Sequence, residues 1–304
     1  MHTVEQHVRM LACPKGKIDI VLDTDAYNEI DDQFAIAYAI KSPEKLNVLG
    51  LYAAPFHNKR STCPQDGMEK SHHEINKILR LAKDNRLVLK GSANYLPNEN
   101  TYVESPAALD LVQRAMQYSS EHPLYVVAIG AITNIASAIL MQPAITERMV
   151  VIWLGGNSLE WPDSKEFNMM QDVAAARVLY GSHTPVVMLP CLGVVSAFTT
   201  TGPELTYWLA GKGELANYLV TQTIEEANRY AKGRVWSRPI WDVAAVAWLM
   251  NENNQFMLDK LVHLPIPQYD HHYSFDPRQP LCKYVFHINR DALFEDLFSK
   301  IASS

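Results

Sequence analysis

Apolar residues follow two patterns that alternate along the first two thirds of the chain. Short apolar runs predict strands at 18–22, 46–53, 87–89, 124–129, 149–154 and 185–189. Apolar residues at helical spacing predict helices at 31–41, 69–83, 106–118 and 172–180, with a short helix from residue 133. Because continuous apolar strands alternate with helices, the pattern indicates a parallel sheet that is covered on both faces.

The last third of the chain departs from this alternation. Residues 203–250 are predicted to be mostly helical, and a strand pair near Val262 and 284–288 precedes a closing helix from Arg290. No Pro-, Gly- or Ser-rich linker and no internal repeat divides the sequence. We therefore predict the α/β fold class: a single domain over residues 1–304 with an open, mostly parallel, Rossmann-like sheet flanked by helices.

Two uncharged stretches, 123–146 and 183–203, could in principle be either membrane-spanning segments or buried core. Each is long enough to cross a bilayer, which takes ~20 apolar residues. Glycine, proline and polar side chains interrupt both stretches, so we predict buried α/β core and no membrane partner. Residues 1–17 lack the continuous apolar region of a signal peptide.

Composition narrows the function classes further. The hydrophobic fraction is 48% and the charged fraction 20%, which excludes intrinsic disorder. A formal net charge of −6 argues against a nucleic-acid partner, which needs a strong basic field. The cysteines have no C-x-x-C spacing, which argues against a zinc ribbon or a disulfide scaffold and suits a reducing cytoplasm. We therefore predict a cytoplasmic protein.

The most informative segment is the acidic one that follows the first predicted strand. Asp23, Asp25, Asp31 and Asp32 lie there together with Glu29. In open α/β sheets, ligands bind beyond the carboxyl ends of the strands, and like charges this close repel each other. Helix capping would account for the last two aspartates but for neither of the first two. An all-oxygen set of ligands indicates Ca²⁺ or Mg²⁺ rather than zinc.

Later segments carry further polar residues, each with an ordinary structural explanation. The pair Gly155-Gly156 is also typical of a strand-to-loop turn, and Asn168 of a turn before a helix. Asp242 precedes the apolar run 243–248, where an unpaired buried carboxylate would be costly. Its alternatives are a hydrogen-bonded helix N-cap or a cation ligand.

In order along the chain, these segments resemble the inosine–uridine-type nucleoside hydrolase family. Four motifs spread over about 220 residues carry the resemblance. They are Asp23-Thr24-Asp25 with Asp31-Asp32 (D-x-D…D-D), 130–136 (G-x-x-T-N-x-A), Gly155-Gly156-Asn157 with Glu166-Phe167-Asn168 (a glycine turn and E-F-N), and Trp241-Asp242 in place of a late H-D pair.

The resemblance implies Ca²⁺-dependent hydrolysis of the N-glycosidic bond of a ribonucleoside or related N-riboside, releasing base and ribose. The implied Ca²⁺ ligands are Asp25, Asp32, Asp242 and the backbone carbonyl of Ile129. Asp25 is also the implied catalytic base that takes the proton of the attacking water. Homodimers or homotetramers and a role in purine or pyrimidine salvage are implied as well.

The same resemblance assigns the substrate contacts. Asp31 and Asn168 are expected to hydrogen-bond the ribose hydroxyls, and Glu166 and Asn157 the other end of the sugar. Asp23 is expected to support the loop from behind the metal ligands.

Three departures from the family pattern concern the pocket. Five residues separate Asp25 from Asp31, a longer spacing than in the commonest pattern. Trp241 stands where many members have a histidine that protonates the leaving base. The G-N motif after the second strand is absent, Asn58 being a shifted equivalent, and 57–71 is expected to be an extended loop.

The leaving group must therefore be activated in another way. Stacking on Trp241, Trp236 or Tyr230 is one hypothesis, and an acid from the His72-His73 segment is another. Core packing is the structural alternative for these aromatic residues.

Two other function classes stay open at this point. A haloacid-dehalogenase-type, Mg²⁺-dependent phosphohydrolase also places D-x-D after its first strand. That family requires Thr or Val where Tyr27 stands, and it has no use for the segment 166–168. The third class is a non-catalytic riboside-binding relative, for which Trp241 is the motivation.

Overall fold

Strands and helices alternate along most of the chain, as the apolar pattern predicts. The computed structural model describes residues 2–303; the predicted domain limits, Met1 and Ser304, lie outside the described residues. The strands are β1 (Ile18–Thr24), β2 (Leu46–Ala53), β3 (Val88–Lys90), β4 (Leu124–Ile129), β5 (Met149–Leu154), β6 (Val186–Leu189), β7 (Thr199–Thr200), β8 (Arg238–Pro239), β9 (Met257–His263), β10 (Ile266–Pro267), β11 (Tyr273–Ser274) and β12 (Leu281–Ile288).

The helices lie between these strands and at both ends of the described chain. They are α1 (Val4–Met10), α2 (Asp32–Ile40), α3 (Pro64–Leu81), α4 (Pro106–Ala115), α5 (Thr133–Met141), α6 (Phe167–Gln171), α7 (Val173–Gly181), α8 (Gly202–Leu209), α9 (Glu214–Ala231), α10 (Val243–Trp248) and α11 (Arg290–Ala302). Short 3-10 helices occupy Pro143–Glu147, Val195–Ala197 and Glu252–Asn254.

Eight strands form one central sheet in the order β3-β2-β1-β4-β5-β6-β12-β9. Neighbouring strands are parallel except for the edge strand β9, which is antiparallel to β12. The predicted fold class, an open and mostly parallel sheet flanked by helices, is confirmed.

Both faces of this sheet are buried. Successive side chains of a strand point to opposite faces, so each strand contributes to two hydrophobic clusters. In β1, Ile20 and Leu22 join one hydrophobic cluster and Val21 joins the other. The first cluster contains residues of α2, α3 and α8–α11, and the second contains residues of α4, α5 and α7. Continuous apolar strands are therefore the pattern that this two-sided packing requires.

The strand order reverses at β1, which pairs with β2 on one side and with β4 on the other. The last residue of β1, Thr24, lies opposite Ile129 at the end of β4. In sheets of this type the ligand crevice lies at such a reversal, beyond the carboxyl ends of the strands. The acidic segment that follows β1 begins at this place.

The prediction of an extended loop over 57–71 is wrong in its second half, and so is the predicted helix start at residue 69. Helix α3 begins at Pro64, a residue that suits a first helical turn. Asp66 lies in that turn and accepts a hydrogen bond from the backbone of Thr62 at 2.8 Å. Gly67 lets the helix pack against Phe56, because a Cβ there would lie 2.0 Å from the Phe56 carbonyl oxygen.

The mostly helical prediction for 203–250 holds for α8, α9 and α10 but not for the segment between the last two helices. Helix α9 ends at Ala231, and its C-cap residue Lys232 is left-handed with φ 50°. A turn and an irregular segment lead from there to β8, which pairs with β7. Of the two uncharged stretches, 123–146 contains β4 and α5, and 183–203 contains β6 and β7. Over residues 2–303, no helix combines the length and the apolar character needed to cross a membrane.

Candidate active site

A cleft of about 220 Å³ lies beyond the carboxyl ends of β1 and β4. It gathers residues from three of the four motifs, together with Ile129, which directly precedes the fourth motif at 130–136. The lining residues are Asp25, Asn28, Glu29, Asp31, Asp32, Ile129, Leu154, Asn157, Lys165, Glu166, Phe167, Asn168, Cys191, Leu192, Trp241 and Asp242.

Four buried aspartates crowd one end of this cleft: Asp25, Asp31, Asp32 and Asp242. Each is at most 4% exposed. One carboxylate oxygen from each of the last three lies within 4.8 Å of the others. Burial, and then the neighbouring carboxylates, raise the pKa of Asp25, Asp32 and Asp242 well above the usual range. Four such groups at one place indicate a site built for a positive charge.

Helix capping does not account for these aspartates. Asp31 and Asp242 occupy the N-cap positions of α2 and α10, but neither side chain makes a capping hydrogen bond. Asp32 instead accepts a hydrogen bond from the Thr24 hydroxyl at 2.5 Å. The carboxylates at both helix starts are therefore directed to the cleft.

The four aspartates differ in their cationic neighbours. The guanidinium of Arg238 lies 3.9 Å from Asp31 and hydrogen-bonds Glu29. Among the described residues, no basic side chain forms an ion pair with Asp25, Asp32 or Asp242. Oδ2 of Asp25 is buried without a hydrogen-bond partner. Carboxylates are hard oxygen donors of the kind that Ca²⁺ and Mg²⁺ take. The oxygens grouped closely enough to share one ion are those of Asp31, Asp32 and Asp242, and Asp25 lines the same cleft.

Asp23 lies behind this group and is fully buried. Its Oδ2 accepts a hydrogen bond from Nδ2 of Asn134 at 2.7 Å, and its Oδ1 has no partner. Burial raises the pKa of Asp23 to about 7. Oδ1 of Asn134 in turn accepts hydrogen bonds from Ser92 at 2.7 Å and 2.9 Å. The T-N motif thus ties the end of β1 to the loop that follows β3.

Gly130 follows β4 at the closest approach of the two strand ends. A Cβ at this position would lie 2.9 Å from Cβ of Ala54 and 3.2 Å from the backbone nitrogen of Asp25. Only glycine therefore lets the Asp25 loop pass against the end of β4 without a shift.

Glu166 and Asn168 are held by the backbone around the second glycine turn. The carboxylate of Glu166 caps α6 by accepting hydrogen bonds from Asn168 and Met169, and a third from Gly156 at 2.9 Å. Nδ2 of Asn168 donates to the Leu154 carbonyl at 3.0 Å, which leaves its Oδ1 for a ligand. Burial raises the pKa of Glu166, and these hydrogen bonds oppose the increase.

Asn157 lines the cleft, but both ends of its amide have protein partners. Nδ2 donates to the Asp163 carbonyl at 3.2 Å, and Oδ1 accepts from the Leu192 backbone at 3.3 Å. These bonds hold the cleft wall in place. Trp241 also lines the cleft, half-buried, and packs against the apolar cluster that includes α10.

The candidate leaving-group residues Trp236, Tyr230 and Asn58 line a neighbouring cavity of about 870 Å³ instead. The two cavities share Asn28 and Glu29. Nδ2 of Asn58 donates to Oδ1 of Asn28 at 2.6 Å. Asn58, expected as a shifted equivalent of the G-N motif, therefore lies outside the cleft and contacts the cleft residue Asn28.

Sequence reasoning missed Arg238, and its histidine hypothesis finds no support. The signal for Arg238 was the group of basic residues within 232–241, directly before Asp242. None of the described histidines lines the cleft. His72 and His73 lie on α3, where Nδ1 of His73 contacts the Glu69 carbonyl at 2.6 Å.

The chain is similar, in sequence or in fold, to known nucleoside hydrolases. The pyrimidine-specific ribonucleoside hydrolase RihA of Salmonella paratyphi A is 23% identical over 261 residues, covering 77% of this chain and 79% of that protein. A plant nucleoside hydrolase, PpNRh1, superposes with a TM-score of 0.73 at 18% identity, over 94% of this chain and 99% of that one. A purine-preferring ribonucleoside hydrolase from Gardnerella vaginalis gives a TM-score of 0.69 at 18% identity, over 93% and 98%.

The sequence profile of the inosine-uridine preferring nucleoside hydrolases matches residues 20–295, which include all of the cleft residues described above. That match covers most of the chain and decides against the phosphohydrolase alternative. This chain therefore belongs to the inosine-uridine preferring nucleoside hydrolase family and is an N-ribosyl hydrolase of nucleosides.

Proposed function

We propose that this protein uses Ca²⁺ to hydrolyse the N-glycosidic bond of a ribonucleoside or a related N-riboside, releasing base and ribose. The observation that carries the proposal is that Asp25, Asp32 and Asp242 line one cleft at the strand-order reversal, where they are buried and form no ion pair with a basic side chain of the described residues. A polar cleft with few ways to neutralise its carboxylates suits a bound cation and a polyhydroxylated ligand.

We assign Asp25, Asp32, Asp242 and the carbonyl of Ile129 to the ion. When bound, Ca²⁺ supplies positive charge that lowers the pKa of a water molecule and orients it toward the anomeric carbon. Asp25 is the proposed general base, because its Oδ2 makes no hydrogen bond within the protein and is free to accept a proton.

The remaining polar residues orient the sugar. Asp31 and Asn168 are assigned to the ribose hydroxyls; Oδ1 of Asn168 is available because only its Nδ2 is used by the protein. Glu166 is assigned to the other end of the sugar. Asn157 acts on that end through the cleft wall that it holds. Asp23 supports the Asp25 loop through Asn134.

The leaving base is placed toward Trp241 and the neighbouring cavity. In the absence of a cleft histidine among the described residues, stacking on an aromatic ring replaces an imidazole acid in this proposal. Trp241 borders the cleft. Trp236 and Tyr230 line the neighbouring cavity, which adjoins the cleft at Asn28 and Glu29.

The biological setting follows from the same proposal. A cytoplasmic enzyme in purine or pyrimidine salvage would act on small nucleosides, without a nucleic-acid or membrane partner. We propose a homodimer or homotetramer, which sedimentation of the purified chain would establish.

The direct test is a release assay for free ribose with purine, pyrimidine and nicotinamide ribosides. The protein is stripped with EDTA and restored with Ca²⁺ or Mg²⁺ before each assay. We expect ribose release from at least one riboside, dependent on Ca²⁺ and lost in Asp25→Asn. A protein that binds Ca²⁺ and ribose but releases no ribose from any member of the panel would favour the non-catalytic, riboside-binding alternative.

A further inference from the structure

The cavity beside the cleft has an unusual charge for this protein. The chain carries a formal net charge of −6. Nevertheless, the cavity is lined by five basic side chains and one acidic side chain, Glu29. The basic residues are Lys59, Arg60, Lys232, Arg234 and Arg238. A concave surface lined by one sign of charge concentrates ions of the opposite sign.

Part of this charge is already neutralised. Arg60 pairs with Glu226, and Arg238 pairs with Glu29. Lys232 and Arg234 are exposed, and neither forms an ion pair with any carboxylate of residues 2–303. Nε of Arg238 is also buried without a hydrogen-bond partner. The cavity therefore has donors and positive charge left for a ligand.

Aromatic rings stand beside these charges. Tyr230 is 49% exposed, and the Lys59 ammonium lies 4.3 Å from its ring centroid. The indole of Trp236 is held by a hydrogen bond of 2.9 Å from its Nε1 to Asn228. Flat surfaces next to unpaired cations suit a planar, negatively charged ring system.

We infer that the preferred leaving group is a base that carries an anionic substituent, such as a carboxylate, which lies in this basic cavity. The inference rests on the proposed function, which places the ribose at the aspartates and the base toward Asn28 and Glu29. An anion attached to the sugar would lie near the buried aspartates, where it would be repelled. An anion on the far side of the base would face Lys232 and Arg234 instead.

The test compares ribosides that differ only in charge. Hydrolysis of 5-carboxyuridine is measured against the neutral isostere 5-carbamoyluridine, uridine and uridine 5′-monophosphate, all with the Ca²⁺-loaded protein. The product measured is free ribose or, from the monophosphate, ribose 5-phosphate. We expect kcat/KM for the carboxylate to exceed that for the carboxamide by about tenfold, the effect of one charge-assisted hydrogen bond. The ratio should fall as salt is added.

Binding of the free bases gives a second measurement that does not depend on catalysis. In calorimetry, 5-carboxyuracil should bind more tightly than 5-carbamoyluracil by a similar factor. The double variant Lys232→Gln/Arg234→Gln should bring both ratios close to one. The matched variant Lys212→Gln/Arg229→Gln removes the same charge from exposed positions outside the cavity and should keep both ratios.

Each unfavourable outcome has a distinct meaning. Hydrolysis of uridine with no preference for the carboxylate would overturn this inference and leave the proposed function intact. A preference for the 5′-monophosphate would also overturn it, because the anion would then be recognised on the sugar. Failure to hydrolyse any of the four ribosides would exclude uracil ribosides as substrates and leave the proposed function to the wider riboside panel. The calorimetric ratio alone would then decide whether the cavity selects anions, and a ratio near one would overturn this inference.

Discussion

At the scale of single residues, the aspartates of the cleft are not equivalent. Asp31 has the guanidinium of Arg238 at 3.9 Å, whereas Asp25, Asp32 and Asp242 have no such neighbour among the described residues. A carboxylate with a partial counter-charge needs a cation less and can serve as a hydrogen-bond acceptor for a neutral group. This difference supports assigning Asp31 to a ribose hydroxyl.

The first prediction concerns that hydroxyl. If Asp31 and Asn168 bind the 2′- and 3′-hydroxyls, a 2′-deoxyriboside leaves their polar atoms unpaired in a buried site. We expect kcat/KM for the deoxyriboside to be lower by about 10²-fold or more. The measurement is ribose against deoxyribose release from adenosine and uridine and their 2′-deoxy forms. Equal turnover would remove both residues from the sugar site.

The second prediction concerns Trp241, the residue in place of the family's histidine. Trp241→Ala should lower nucleoside turnover by about tenfold, the size of an aromatic stacking contribution. Turnover of p-nitrophenyl riboside should change much less, because that leaving group departs without a proton. Trp241→Phe is the control and should retain most nucleoside activity.

An equal loss on both substrates in Trp241→Ala would mean that the indole only packs against the neighbouring apolar cluster. No single histidine substitution should abolish p-nitrophenyl riboside hydrolysis, because no described histidine lines the cleft.

The motifs predicted which residues would meet, but not which partners they would have. The spacing of Asp25, Asp32 and Asp242 along the chain contains no information about Arg238, which hydrogen-bonds Glu29 across 209 positions of sequence. Asn157 shows the same limit, since the bond that it accepts from Leu192 joins the loop after β5 to the loop after β6. Side-chain pairing between distant segments depends on the tertiary structure.

At the scale of elements, the active site depends on how closely the ends of β1 and β4 approach. Thr24 lies opposite Ile129 in the sheet, and Gly130 continues β4 beneath the Asp25 loop. The Trp153 indole donates to the Gly130 carbonyl at 3.1 Å, which fixes this glycine from the other side. The position of Asp25 is therefore set by backbone contacts.

The third prediction tests this contact with Gly130→Ala. The added methyl group would lie 2.9 Å from Cβ of Ala54 and 3.3 Å from Cβ of Asp25, so the end of β4, Ala54 or the Asp25 loop must shift. We expect weaker Ca²⁺ binding and a fall in kcat of about tenfold, because the shift required is smaller than the displacement of about 1 Å that costs about 10²-fold. Calorimetry and ribose release measure the two effects.

Gly181→Ala is the matched control, because Gly181 ends α7 and a Cβ there meets no atom within 4 Å. It should leave Ca²⁺ binding unchanged and raise the free energy of unfolding by about 0.5 kcal/mol. Normal Ca²⁺ affinity in Gly130→Ala would show that the Asp25 loop tolerates the methyl group.

The strands were the most predictable elements. A strand in a sheet covered on both faces has no polar face, so it appears in the sequence as a continuous apolar run. The start of α3 was less predictable. Its first turn is Pro64, Gln65, Asp66 and Gly67, which contains no apolar residue at helical spacing, and Gly67 packs closely against Phe56. The segment after α9 was missed because its pairing of β8 with β7 joins residues about 40 positions apart.

At the scale of the whole molecule, folding gathers charges that the unfolded chain keeps apart. Asp25, Asp31, Asp32 and Asp242 come from two distant segments and become buried together. Their mutual repulsion destabilises the folded state, and a bound cation relieves it. The stability of the protein and its metal content should therefore be coupled.

The fourth prediction measures that coupling by thermal unfolding with EDTA and with excess Ca²⁺. A ligand at about 100 times its Kd stabilises the folded state by about 2.7 kcal/mol, which raises the Tm of a chain this long by roughly 4 °C. In Asp242→Asn the rise should largely disappear, while the Tm in EDTA should equal or exceed that of the wild type because one repelling charge is gone.

Asp172→Asn is the control, since Asp172 is also buried but accepts hydrogen bonds from Thr133, Leu96 and Ala175. It should lower the Tm with or without Ca²⁺ and keep the Ca²⁺-dependent rise. If Asp242→Asn instead lowered the Tm in EDTA and kept the full rise, Asp242 would be a structural hydrogen-bonding residue and the ion would have to bind elsewhere.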